Sequence, residues 1–141
     1  MSHISNEEQQ RIVAAIEAAE KETSGEIRVH IEKKCKENIM DHAAFIFEKL
    51  EMHKTKERNA ILFYIALDDH KFAILGDAGI HQKVGSEFWD AIKTEMLPYF
   101  KKESLAEGLE LGIAKAGKEL KHYFPYQEDD ENELENEITY S

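Results

Sequence analysis

Apolar residues fill positions 60–67 almost without a break. A run of this length, rich in Ile, Leu, Phe and Tyr, is typical of a strand buried on both faces. Residues 68–71 are polar, and residues 72–75 are apolar again. Two such runs joined by a short polar break predict a β-hairpin. We expect this hairpin to form the centre of the fold.

Two further elements are predicted near the N-terminus. Ser5 and Glu8 have the form of a capping box, which predicts a helix over residues 5–21. Polar and apolar residues alternate strictly from position 26 to position 32, which predicts a strand with one polar face. Arg28 and His30 lie on that polar face and are expected to be solvated.

The remaining helices are predicted from capping residues and from apolar residues at helical spacing. Asp41 is suited to be the N-cap of a second helix. A third helix is expected over residues 80–100, with Pro98 bending or ending it. Ser104 and Glu107 form a second possible capping box, which would open a fourth helix.

The predicted order is helix, strand, helix, strand, strand, helix, helix. A strand–helix–strand unit implies parallel neighbours with a right-handed crossover, and the hairpin adds an antiparallel strand. We therefore expect an α/β fold: a three-layer α/β/α sandwich whose small mixed sheet of three or four strands is flanked by about four helices. Residues 1–125 should form this domain, and residues 126–141 an acidic C-terminal segment.

Length and composition indicate the number of domains and the cellular compartment. The chain has 141 residues, enough for one domain with a real core. No run approaches the roughly 18 apolar residues of a membrane span, and the N-terminus lacks the features of a signal peptide. Cys35 is the single cysteine, so an internal disulfide is excluded. The cytoplasm is the expected location.

The net charge is −11, from 29 acidic and 18 basic residues. This balance argues against nucleic acid or an anionic membrane surface as a partner. From position 127 onwards there are seven acidic residues and no Lys or Arg. This segment therefore supplies most of the net charge and needs its own explanation.

Chain direction predicts which acidic residues meet. Glu26 opens the first strand, Asn59 precedes the central strand, and Asp77 follows the antiparallel partner. All three should lie at one end of the sheet. The last helix returns the chain to that end, so the acidic segment should leave the domain beside them.

The acidic segment offers oxygen ligands at loop spacing: Asp129, Asp130, Asn132 and Glu133. Ca²⁺ and Mg²⁺ prefer such ligands, although the glycine and the twelve-residue frame of an EF-hand are missing. The alternative is a disordered acidic tail. Residues 138–140 have strand propensity, which favours an ordered segment that ends as an edge strand.

Other catalytic patterns are missing from the sequence. The seven histidines show no zinc-binding spacing, and there is no P-loop, dinucleotide fingerprint or nucleophile elbow. The Gly76-Asp77-Ala78-Gly79 stretch can act either as a plain turn or as a source of one ligand.

Several segments resemble the TPM domain family, over about residues 6–125. They are TSGEIRV at 23–29, LEMHKT at 50–55, RNAIL at 58–62, FAILGDAGI at 72–80, Phe88-Trp89 and Phe124-Pro125. That family includes plant thylakoid-lumen proteins described as phosphatases and membrane-anchored bacterial relatives. Unlike many relatives, this chain shows no anchor, and Ala60 stands where a glycine is common.

The resemblance implies an α/β/α sandwich and, for several members, divalent-cation binding near the Gly-Asp-x-Gly turn. Asp77 carries over most directly, and Glu26 and Asn59 carry over more weakly. The acidic segment lies outside the shared domain, so its role as a ligand rests on the topology alone.

Three functions are compatible with these observations. The first is a Ca²⁺- or Mg²⁺-binding domain whose loops are ordered by the metal and which signals to a protein partner. The second is a metal-dependent phosphatase in which Asp77 holds the ion and Arg58 or Lys56 steadies phosphate. The third is a metal-independent interaction domain that uses the strand face bearing Arg28 and His30.

Overall fold

The computed structural model describes residues 4–126 and 138–140. The helices are α1 (Asn6–Glu20), α2 (Ile39–Lys49), α3 (Ala78–Val84), α4 (Ser86–Lys101) and α5 (Leu105–Tyr123), with a 3₁₀ turn at Met52–Lys54. The strands are β1 (Glu26–Glu32), β2 (Ala60–Ala66), β3 (Lys71–Gly76) and β4 (Thr139–Tyr140). Within the described residues, no helix combines the length and apolarity needed to cross a membrane.

The four strands form one mixed sheet in the order β3-β2-β1-β4. Strand β2 pairs in parallel with β1, where Glu26 lies opposite Ala60, and antiparallel with β3. Strand β4 adds to the other side of β1, in parallel, opposite His30 and Ile31. The hairpin, the parallel unit and the short edge strand predicted from the sequence are therefore confirmed.

Helices cover both faces of the sheet, which confirms the α/β/α sandwich. On one face, Val29 and Phe63 belong to a large core that includes Ile16 of α1 and Ile113 of α5. On the other face, Tyr64 belongs to a smaller core with Ala43 and Phe47 of α2. The seven residues of β2 are all buried, because apolar layers pack on both of its sides.

The capping box at the start of α1 is confirmed, and the one at the start of α5 is wrong. The Ser5 hydroxyl accepts from the Glu8 N–H at 3.1 Å, and the Ser5 N–H donates to the Glu8 carboxylate at 3.1 Å. Ser104 is the N-cap of α5, but its side chain makes no capping hydrogen bond. Its backbone ψ of 58° lies far from the extended value of 161° at Ser5.

The N-cap of α2 lies three residues earlier than predicted. Asn38 is the N-cap, and its side-chain oxygen accepts from the N–H groups of Met40 at 2.9 Å and Asp41 at 3.1 Å. Asp41 instead lies in the first turn, where a carboxylate is favourable near the positive end of the helix dipole. Asparagine and aspartate are comparable N-caps, so residue type alone did not decide between them.

The third predicted helix is two helices. Gly85 separates α3 from α4 and has a φ of +77°, a left-handed conformation that glycine adopts without steric cost. Pro98 does not end α4, because the helix continues to Lys101. The predicted helix is therefore interrupted at the glycine and not at the proline.

The expectation that Arg28 and His30 are solvated is wrong, because the two residues are only 8% and 3% exposed. His30 Nδ1 lies 2.7 Å from the Thr139 hydroxyl of β4, and His30 Nε2 lies 3.3 Å from Glu32. Helix α2 and strand β4 thus cover this face of β1. A polar strand face can be buried where neighbouring groups form hydrogen bonds with its side chains.

Two phenylalanine truncations should separate core from surface. Phe63 is fully buried in β2, and Phe45 on α2 is 55% exposed. We expect Phe63→Ala to lower the free energy of unfolding by about 3–5 kcal/mol through lost burial and a residual cavity. Phe45→Ala should cost less than about 1 kcal/mol. Urea denaturation followed by circular dichroism measures both; equal costs would contradict the assigned core.

Candidate functional site at the strand-start edge

The strand-start edge is the edge of the sheet where β1 and β2 begin and β3 ends. Asp77 lies there, directly after β3, with a side chain that is only 6% exposed. Its Oδ1 accepts from the Ala78 N–H at 2.8 Å and so caps α3. Arg58 donates to both oxygens, from Nε to Oδ2 at 2.6 Å and from Nη2 to Oδ1 at 2.8 Å. The paired Asp77 carboxylate raises the pKa of Arg58 further.

The two glycines that flank Asp77 are required by close packing. A Cβ at Gly76 would lie 2.3 Å from the Trp89 ring, and a Cβ at Gly79 would lie 2.1 Å from the Glu57 carbonyl oxygen. The Gly79 N–H also donates to the Arg58 carbonyl at 2.7 Å. The Gly-Asp-Ala-Gly stretch thus joins β3 directly to α3, and close packing at both glycines fixes its position.

Asn59 is 1% exposed and lies next to the start of β1. Its backbone N–H donates to the Thr55 hydroxyl at 3.3 Å, and its side-chain Nδ2 donates to the Ser24 hydroxyl at 3.4 Å. The side-chain Oδ1 has no hydrogen-bond partner among the described residues. A buried amide oxygen without a partner is costly, which makes it a natural ligand for a cation or a water molecule.

Glu20 is half-buried beside the buried Glu26, and the two carboxyl groups form a pair. Glu26 is 2% exposed, and its N–H donates to the Asn59 carbonyl at 3.4 Å. The Glu20 carboxyl accepts from the Ile27 N–H at 2.7 Å. Burial raises the pKa of Glu20 to about 8, and the hydrogen bond and negative charge of Glu26 contribute to that rise. At neutral pH, this pair therefore holds a proton.

The chain leaves the folded domain at the same edge. The Ser24 N–H donates to the Phe124 carbonyl at 2.9 Å, Thr23 forms an isolated bridge with Pro125, and the Tyr126 N–H donates to the Glu22 carbonyl at 3.1 Å. The chain thus passes Ser24 and Thr23 and reaches Glu22 at Tyr126. The four predicted ligands of the acidic segment lie outside the described residues: Asp129, Asp130, Asn132 and Glu133.

The structure brings Glu26 and Asn59 together through their backbones, but Asp77 is already committed to Arg58. Among residues 4–126 and 138–140, no three His, Cys, Asp or Glu side chains are arranged to hold a metal ion. The described part of the edge therefore offers an incomplete set of ligands. A complete set needs oxygen atoms from elsewhere in the chain.

A cavity of about 350 Å³ lies beside Asp77, between α2 and the end of β3. Arg58 and His53 line it, together with Glu48. His53 Nδ1 is buried without a hydrogen-bond partner in the described chain. The cavity is open to a small polar ligand, with one cation on its wall.

A buried polar network on the α2 side was not predicted. The Tyr64 hydroxyl donates to Glu32 Oε2 at 2.6 Å, and His42 Nε2 lies 3.1 Å from Glu32 Oε1. His42 Nδ1 lies 2.7 Å from the Glu37 carboxylate. Polar residues at alternate positions of β1 were the available signal, but alternation does not show what covers a face.

This network shifts the pKa values of its members. Burial raises the pKa of Glu32, but the hydrogen bonds from Tyr64 and His42 outweigh burial and lower it overall. Burial lowers the pKa of His42, but its hydrogen bonds to Glu37 and Glu32 outweigh burial and raise it overall. Burial alone dominates at His30 and lowers its pKa. Glu32 is therefore ionised and accepts hydrogen bonds from both sides.

The family model for the TPM domain matches residues 2–119 of this chain. The NMR structure of the BA42 protein from the psychrophilic bacterium Bizionia argentinensis is 43% identical, with a TM-score of 0.91, and the match covers 100% of both chains. A search of curated proteins finds no match.

Two more distant structures share the fold alone. The N-terminal domain of the cg2496 protein from Corynebacterium glutamicum has 16% identity and a TM-score of 0.63, over 84% of this chain and 74% of that one. The N-terminal domain of a P. gingivalis protein has 18% identity and a TM-score of 0.68, over 88% of this chain and 83% of that one.

The raised pKa of Glu20 predicts a pH-dependent stability. The folded state keeps the proton up to about pH 8, whereas the unfolded chain releases it near 4.5. The stability that Glu20 contributes is therefore complete below pH 4.5 and is lost as the pH rises towards 8. Glu20→Gln cannot ionise, so its free energy of unfolding relative to wild type should rise from pH 5 to pH 8. Urea denaturation across this range measures the difference; a constant difference would contradict the paired carboxyls, and Glu17→Gln on the same helix is the control.

Replacing Asp77 should reveal its structural role. Asp77→Ala removes the cap of α3 and both hydrogen bonds from Arg58, so we expect a loss of about 1–3 kcal/mol in the free energy of unfolding. Asp77→Asn keeps a capping oxygen and should cost less. The exposed Asp90, replaced by Ala, is the control and should change stability by less than about 0.5 kcal/mol. Equal losses for Asp77→Asn and Asp77→Ala would show that the cap contributes nothing.

Proposed function

This chain belongs to the TPM domain family, and we propose that it binds a divalent cation, Ca²⁺ or Mg²⁺, at the strand-start edge. The observation that carries the proposal is the Glu20–Glu26 pair. The Glu20 carboxyl lies half-buried beside the buried Glu26 there, and its pKa is raised to about 8. A divalent cation bound at Glu26 would offset the negative charge of both carboxylates, which a single proton on Glu20 cannot do.

The proposed ligands come from two parts of the chain. Glu26 and the buried Oδ1 of Asn59 belong to the described edge. Asp129, Asp130, Asn132 and Glu133 belong to the acidic segment, which begins beside Glu22. Hard cations take six to eight oxygen ligands, and the two proposed residues of the described edge are too few without those of the acidic segment.

Asp77 stays a predicted ligand with an additional requirement. Its two oxygens already accept three hydrogen bonds, two of them from Arg58. An ion at Asp77 would have to replace the guanidinium, which is half exposed and can swing into solvent. We therefore leave Asp77 out of the minimal set of ligands. We expect Glu26 and the acidic segment to contribute most of the affinity for the ion.

Ion binding would also act on the C-terminal strand. The acidic segment is attached at Glu22 on one side and at β4 on the other, where Thr139 contacts His30. A cation that neutralises this segment would stabilise the attachment of both ends. A protein partner that contacts this surface could then respond to the ion concentration.

The two alternative functions have less support. A phosphatase could use the cavity beside Asp77. It would need Asp77 for the ion and Arg58 for the phosphate, but these two residues are paired with each other. A metal-independent interaction domain needs Arg28 and His30 at the surface, and both are buried. Cation binding is therefore the function that we carry forward.

Titration of the full chain with CaCl₂ and MgCl₂, followed by ¹H–¹⁵N NMR, tests the proposal. We expect saturable shifts at the amides of Ser24, Glu26 and Asn59, with a dissociation constant below about 1 mM. Saturating cation should also raise the melting temperature, because it binds only the folded state. Affinity should increase from pH 6 to pH 8, since binding displaces the shared proton.

Matched variants locate the site. Glu26→Gln, and separately Asp129→Asn with Asp130→Asn and Glu133→Gln, should each weaken binding at least tenfold. A control with the same charge change, Asp68→Asn with Asp90→Asn and Glu119→Gln, should bind as wild type does. Absence of shifts at 10 mM cation, or equal weakening in the control, would refute a specific site.

A further inference from the structure

A second cavity, of about 330 Å³, lies at the opposite end of the sheet from the strand-start edge. It is enclosed by the end of β2, the β2–β3 turn, the end of α4 and the start of α5. Ile65, Leu67, Phe100 and Leu105 form apolar walls. Leu97 also lines the cavity and is 41% exposed. A cavity of this size with apolar walls is typical of a site for a small organic molecule.

Basic residues surround the apolar walls. Lys71 from the hairpin and Lys101 from α4 line the cavity, together with His70. Helix α4 places Lys93, Leu97 and Lys101 one turn apart on one face, because side chains at i and i+4 are neighbours. The Lys93 ammonium lies 5.6 Å from the centre of the Phe72 ring.

This basic rim contrasts with the rest of the protein. The net charge of the chain is −11, and the only carboxylate lining the cavity, within the described residues, is that of Glu103. Two lysines and one carboxylate therefore line the cavity. In an acidic protein, this local excess of positive charge favours an anionic group at the mouth and an apolar body inside.

The backbone on two sides of the cavity is in an uncommon conformation. His70 has a φ of +52° and Glu103 has a φ of +58°, values that are unfavourable for residues other than glycine. Both residues line the cavity. Such conformations often occur at binding sites, where the surrounding structure holds the backbone in place.

We propose that this cavity binds an amphipathic monocarboxylate, a small molecule with an alkyl or aryl body and one carboxylate. The body fills the space between Ile65, Phe100 and Leu105, and the carboxylate lies at the mouth between Lys71 and Lys101. The site is independent of the cation site, because it lies at the other end of β2. Each methylene that enters the cavity should raise the affinity about three- to fourfold.

A chain-length series of straight carboxylates tests the site in the full chain. Butanoate, hexanoate, octanoate and decanoate, followed by calorimetry and by ¹H–¹⁵N NMR, should bind with increasing affinity until the cavity is filled. The amides of residues 65–71 and 97–105 should shift. Octylamine, which has the same body and a positive head group, should bind at least tenfold more weakly than octanoate.

Surface variants test the contribution of the lysine charges to binding separately from that of the apolar contacts. Lys71→Glu with Lys101→Glu should remove the preference of octanoate over octylamine, whereas Lys83→Glu with Lys118→Glu should retain it. Leu97→Ser at the mouth should weaken octanoate and octylamine alike, and the exposed Phe45, replaced by Ser on α2, should weaken neither. All these positions are on the surface or at the cavity mouth, so the fold is expected to persist and thermal unfolding checks it.

Three results would overturn the proposal. They are equal affinity for octanoate and octylamine, loss of preference in the Lys83 and Lys118 control, and shifts that lie outside the cavity. Absence of any binding at 5 mM decanoate would also overturn it. None of these results bears on the cation titration, which reports on Ser24, Glu26 and Asn59.

Discussion

Burial of β2 on both faces is the constraint on which the rest of this structure depends. Its seven residues are all buried, with Phe63 directed to the α1 and α5 side and Tyr64 to the α2 side. Full burial of such side chains contributes about 1.5–3 kcal/mol each, so β2 cannot be moved to an edge without large cost. The flanking strands β1 and β3 are therefore fixed in register on either side of it.

The polar residues of β1 follow from this constraint. Because β1 is held against β2 in parallel register, Glu26, Arg28, His30 and Glu32 all point to the α2 side and are buried there. Their charges must be satisfied inside the protein, which explains the network around Glu32 at one end and the carboxyl pair at the other. The candidate cation site lies at the Glu26 end of this polar row, next to the buried Oδ1 of Asn59.

Much of this architecture could be predicted from the sequence. The apolar runs of the hairpin and the strand propensity of residues 138–140 reflect local composition, which the sequence contains directly. The division at Gly85 was missed because apolar residues at helical spacing continue on both sides of the glycine. The pairing of Glu20 with Glu26 was missed for another reason: it depends on how α1 approaches the edge of β1, and this is a tertiary contact. Likewise, the sequence placed Asp77 at the correct end of the sheet but gave no indication that Arg58 occupies both of its oxygens.

The position of Glu20 has a consequence for how this protein behaves at high concentration. Among the described residues, strand β4 pairs with His30 and Ile31 along the outer side of β1. Nearer the start of β1, the Glu20 carboxyl takes the Ile27 N–H, a donor that would otherwise be available to another polypeptide. Exposed strand edges recruit copies of the same chain into intermolecular sheets, and a side chain bound to the edge competes with that recruitment. The Glu20 carboxyl thus makes the Ile27 N–H unavailable for pairing with a strand of another molecule.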